Sequence, residues 1–135
     1  VNLYKLEKEK VKIVANSLNL GHESFSLPAG QRTVVTKTFT FSKPTKVLML
    51  TSHTHKLGEK YVIKIVGGPR NGEIVYESTD WEHPLIKTFV QPLEFNKGEG
   101  LMSEVTFNNT TTKTVKFGLT SEDEMDIIFG YYYEQ

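Results

Sequence analysis

An all-β fold, an antiparallel jelly-roll-like β-sandwich forming a single domain over residues 1–135, follows from three observations. Short stretches rich in Val, Ile, Thr, Phe and Tyr recur along the chain. Clusters of Gly, Pro, Asn and Asp punctuate them at near-regular spacing, and no stretch shows a convincing amphipathic-helix period. Eight to ten short strands of this kind are closed most economically as packed antiparallel sheets. At 135 residues, the chain is long enough to bury ~65–70% of its unfolded surface, so one core suffices.

The elements follow in order. Residues 1–15 mix charge with a thin apolar period, and Lys12-Ile13-Val14 reads as a strand. Asn16 to Gly30, with Gly21, Pro28 and Gly30, reads as a loop anchored by Phe25 and Leu27, in which His22 is expected to face solvent. From Thr33 to Phe41 the pattern alternates, with Val35, Phe39 and Phe41 on one face and Thr36, Thr38 and Thr40 on the other. Lys43-Pro44-Thr45 turns into an apolar strand, Val47 to Leu50, that runs on to His53 and His55. Tyr61 to Val66 is a strand, and Asn71-Gly72 is a hairpin signal because both residues tolerate positive φ. Glu73 to Glu77 then returns antiparallel. Thr79 to Pro84 holds the one tryptophan, Trp81, in a loop that caps a sheet edge or overhangs a pocket. Phe89 to Phe95 contains Pro92 and so belongs at an edge or a bend. Leu101 to Phe107, Thr114 to Gly118 and Asp126 to Tyr133 complete the strands. Asn108 to Thr112 is a polar turn with two overlapping glycosylation sequons, which carry meaning only in a eukaryotic secreted protein.

Composition excludes several classes. Sixteen basic residues balance sixteen acidic ones, and no basic stripe interleaved with aromatics appears, which argues against nucleic acid as a partner. Apolar runs are far too short for a membrane-spanning helix. There is no cysteine, hence no disulfide scaffold. The chain begins at Val1, which is the expectation for a mature or trimmed product whose targeting segment lies outside it.

His53-Thr54-His55 carries the chemistry. On a strand, side chains two apart share a face, with Cα atoms roughly 6.6 Å apart, so two imidazoles can converge on one ion. Thr54 would point the other way and serve packing. A third ligand is needed. Glu59 is one candidate, completing a His-x-His-x-x-x-Glu pattern of the cupin type for Fe or Mn, although Val47 stands where that motif has glycine. His22 and His83 are the remaining histidines and the candidates for a second metal. Trp81, His83 and Tyr131 to Tyr133 are candidate pocket-lining residues. In Ser121-Glu122-Asp123-Glu124-Met125-Asp126, four acids crowd one methionine, which packing alone reads as a charged turn with Met125 opening the Ile127, Phe129 and Tyr131 face.

The two stretches together, His53-Thr54-His55-Lys56-Leu57-Gly58 and then Ser121-Glu122-Asp123-Glu124-Met125 before a tyrosine-rich end, resemble the type II copper, ascorbate-dependent monooxygenases. That family includes peptidylglycine α-hydroxylating monooxygenase and dopamine β-monooxygenase. The resemblance is to their C-terminal domain and runs from about Leu48 to Tyr133. It implies a jelly-roll β-sandwich and one copper ion held by His53, His55 and Met125. Two imidazoles suit either oxidation state and a thioether favours Cu(I). Three protein ligands leave a position for O2 or another small ligand. Val105 and Asp126 occupy the positions of a cysteine pair common in the family, so the resemblance implies a missing tether beside Met125. It further implies ascorbate or another reductant, and a second copper from a partner domain or redox partner, because no His-His pair occurs here. It points to a secreted, periplasmic or surface-anchored protein, taken as a monomer. Two further functions stay open: catalysis as a hydroxylase with a borrowed copper, and a structural β-sandwich without metal chemistry.

Overall fold

The computed structural model describes residues 2–135. Ten strands follow a single 3-10 turn at Lys8–Lys10: β1 (Asn16–Gly21), β2 (Ser26–Leu27), β3 (Arg32–Thr40), β4 (Thr45–His53), β5 (Gly58–Val66), β6 (Ile74–Ser78), β7 (Lys87–Phe95), β8 (Gly100–Asn108), β9 (Val115–Lys116) and β10 (Ile127–Glu134). Sheet one has the order β1-β10-β4-β7, sheet two the order β3-β8-β5-β6, and β2 pairs with β9 as a small ribbon. All strand pairings are antiparallel, and most neighbours are distant in sequence, as a jelly-roll-like sandwich requires.

Alternation places the core. On β10, Ile128 and Tyr132 face inward; on β4, Val47 and Leu50 do; on β8, Leu101, Val105 and Phe107 do. These meet Tyr61, Ile63 and Ile65 of β5 and Leu93 and Phe95 of β7 in one hydrophobic cluster between the sheets. Pro92 sits in β7, an edge strand with an irregular register against β4, as its missing N–H demands.

Three expectations need correction. Asn16–Gly21 is a strand rather than a loop, because Leu18 and Leu20 alternate with polar residues and the segment pairs along β10, burying Leu18. Lys12-Ile13-Val14 forms no strand; Ile13 and Val14 are exposed and unpaired with either sheet. Of the Asn71-Gly72 pair at the β5–β6 connection only Gly72 takes positive φ, at 85°, so the turn is not the two-residue type read from Asn-Gly. Instead, the Asn71 side chain accepts the Gly67 N–H at 2.8 Å and closes a longer loop.

The sequon turn is also structural at its second position. Asn109 is fully buried. Its amide donates to the carbonyls of Leu27 and Lys113, and its Oδ1 accepts from the N–H and hydroxyl of Thr111. A glycan on Asn109 is incompatible with this fold.

Candidate metal centre

The site lies where β4 ends. His53 pairs with Ile127, Thr51 with Phe129 and Met49 with Tyr131, so these residues share the outward face of sheet one. His55 lies just past the strand, before a turn closed by the Gly58 N–H on the His55 carbonyl at 3.1 Å. The two imidazoles remain neighbours, with ring centroids 5.2 Å apart. Thr54 points inward and is buried, as its parity predicts. Its side chain occupies the space a β-carbon on residue 58 would need, which explains a glycine at that spacing on steric grounds.

The β4–β10 register ends at His53 opposite Ile127, two residues short of His55 and of Met125. Hydrogen bonds bring the two segments together. His55 Nδ1–H donates to the Asp123 carbonyl at 2.9 Å, leaving Nε2 with the lone pair a metal needs. Glu124, fully buried, accepts the His55 N–H at 2.7 Å, the Leu57 N–H at 2.8 Å and the Met125 N–H at 3.2 Å. Burial pushes the Glu124 carboxyl above its ordinary range, and those three N–H donors pull it back. His53 is shifted down, chiefly by burial and then by His55, which favours the neutral ring.

Behind Met125 stands a second buried carboxylate. Asp126 accepts the Tyr61 hydroxyl at 2.7 Å and the Ser103 hydroxyl at 3.1 Å, and faces His22 Nδ1 at 3.3 Å. Burial raises Asp126, and the hydroxyl donors and His22 oppose that rise. Tyr61 is held well above its usual range by burial and by Asp126. The network joins β10 to β5 and β8, across the sandwich, at the position where the resemblance marks a lost covalent link. Val105, its expected counterpart, is buried in the core and pairs with Tyr61.

His22 is therefore buried rather than exposed, with Nε2–H on the Ser24 carbonyl at 2.9 Å and Nδ1 turned to Asp126. His83 sits on an exposed loop near Asp80 and is not drawn toward the other histidines. Glu59 is taken up by Arg32, at 3.0 and 3.1 Å, and by Asn108, on the outer face of sheet two. Among the described residues no three His, Asp or Glu side chains are grouped to hold an ion, so the cupin-like set His53, His55, Glu59 is not assembled. The Trp81 loop is tied to the site-bearing strand: the Leu85 carbonyl accepts both the Tyr76 and the Thr51 hydroxyls, at 2.6 and 2.9 Å. Trp81 itself stays partly exposed.

Glu124 and the Asp126 network were not read as functional from sequence. Their signal is parity: counting back from Ile128, a core residue, by twos sends Asp126 and Glu124 inward and Met125 outward.

The chain's family can now be stated. Residues 14–135 match the family model described as copper type II ascorbate-dependent monooxygenase, C-terminal domain, and the chain belongs to that family. Its members depend on copper and ascorbate, and this chain carries their C-terminal domain. Comparison with curated proteins returned no match. Among the described residues no helix is long and apolar enough to cross a membrane.

Proposed function

We propose that this chain is a mononuclear copper-binding domain in which His53, His55 and Met125 hold one ion. The observation that carries the reading is the bond from His55 Nδ1–H to the Asp123 carbonyl, which fixes one imidazole to the methionine-bearing segment and frees Nε2. The donor set fits copper. Two imidazoles suit copper in either oxidation state, and a thioether extends the site to the soft Cu(I) state. When bound, copper supplies one-electron redox chemistry and a position for O2 or a comparable small ligand. The protein's part is to hold the imidazoles, keep Thr54 and Gly58 packed beneath them, and anchor the flanking segments through buried carboxylates.

Family membership favours a second reading, a hydroxylase domain that works with a second copper from a partner domain or chain and draws electrons from ascorbate or another reductant. His22 is a poor second-copper ligand because both ring nitrogens are engaged. An exported location and a monomeric state complete the proposal.

Titration of the metal-free protein with Cu(I) against a chromophoric competitor tests it. One equivalent is expected, with affinity falling by about 10- to 100-fold or more in His53→Ala and Met125→Ala. Wild-type affinity in Met125→Ala would remove the thioether from the site.

A further inference from the structure

Among the described residues no lysine or arginine is ion-paired with Glu124, yet Glu124 is fully buried. The neighbouring Lys56 is paired at the surface with Glu122, at 3.3 Å. A buried carboxylate without a cation is costly unless donors surround it. Here the donors are backbone N–H groups from two separate segments, His55 and Leu57 on one side and Met125 on the other. Its own backbone is fastened to a third: the Glu124 N–H donates to the Lys116 carbonyl at 3.0 Å and its carbonyl accepts the Gly118 N–H at 3.1 Å. Residue 123 adds the bond to the His55 ring. The Glu124 carboxylate spans the gap between the histidine turn and the methionine.

We propose that Glu124 is a positioning residue that locks the His55 turn against the Met125 segment before any metal binds, so that the ligand set is preorganised. The inference rests on the two-histidine, one-methionine reading for its purpose, but the lock itself is made of protein groups alone. Two carboxylate oxygens accept three N–H groups. A glutamine has one acceptor oxygen, so its amide must face at least one N–H and that bond is lost. An aspartate keeps the charge but is one methylene short of spanning both segments.

The experiment measures amide hydrogen exchange by NMR on the metal-free wild type and Glu124→Gln, with Glu124→Asp as the second variant should the glutamine form fold poorly. The expected result is exchange about tenfold faster at His55, Leu57 and Met125, with Leu50 and Val105 in the core unchanged. Cu(I) affinity should fall about tenfold, and the loss should be non-additive with Met125→Ala, because one acts through the other. X-ray absorption of the Cu(I) form should show a weakened sulfur contribution. Unchanged exchange at those three amides in a folded variant overturns the lock. Faster exchange with unchanged Cu(I) affinity and sulfur signal overturns its role in positioning ligands. A wild type that does not bind Cu(I) overturns the metal reading instead, and is told apart because the exchange is read without metal.

Discussion

On the outer face of sheet two, Glu59, Glu77 and Glu104 lie beside Arg32, Lys60 and Lys64 at 3.0, 2.9 and 3.1 Å, in positions that solvent reaches. At the end of sheet one, Glu124 and Asp126 are sealed from solvent and are met by N–H and O–H donors, with His22 beside Asp126. The same residue type thus does two jobs. Exposed carboxylates trade water for a cation at little net gain, which suits a solvated face. Buried ones cannot be left unsatisfied and so dictate where their donors sit. The shifts follow: Arg32 and Asn108 hold Glu59 below the ordinary carboxylate range, whereas burial lifts Glu124 and Asp126 above it. The outward face of sheet one differs as well. From Gly21, Ile127 and His53 to Ser17, Tyr131 and Met49 it carries no acid, lysine or arginine.

The sharpest break of this contrast is Asp126→Ala. It leaves the Tyr61 and Ser103 hydroxyls and His22 without their acceptor, and is expected to cost about 3 kcal/mol. Thermal unfolding followed by circular dichroism should fall by roughly 10 °C. A melting point close to wild type would show that Asp126 does not tie the two sheets together.

Gly58→Ala should be intermediate. The added methyl meets Thr54, so the turn after His55 must shift, at about 2 kcal/mol. Calorimetry would record the loss, and the same variant should bind Cu(I) more weakly because His55 moves with the turn. Full Cu(I) affinity would show that the turn yields without disturbing the ring.

Glu59→Gln is expected to do least. The Arg32 pair is exposed, so the melting point at neutral pH should fall only slightly and Cu(I) binding should not change. Because the folded pKa of Glu59 lies below its unfolded value, its contribution is present above the unfolded pKa and fades as pH falls through the folded one. Melts of wild type and variant should therefore converge in acid. A large loss of copper affinity here would revive Glu59 as a ligand.

Much of this molecule was legible from one dimension. Alternation located β3, runs of apolar and β-forming residues located β4, β5, β8 and β10, and Pro92 marked its strand as an edge, because strand propensity and a missing N–H are local properties. The spacing of His53 and His55 placed two imidazoles on one face for the same reason. Asn16–Gly21 was misread because two leucines among polar residues make too weak a pattern until β10 pairs with them.

What tertiary structure alone decided is which polar groups are buried together. His22 and Asp126 are 104 residues apart, and His55 and Glu124 are 69 apart. Nothing local distinguishes Glu124, sealed under the His55 turn, from Glu122, open to water two residues earlier. The difference arises because Glu124 bridges to Phe117 and lies against the His55 turn, where backbone N–H groups meet its carboxylate, whereas Glu122 sits in the turn before that bridge.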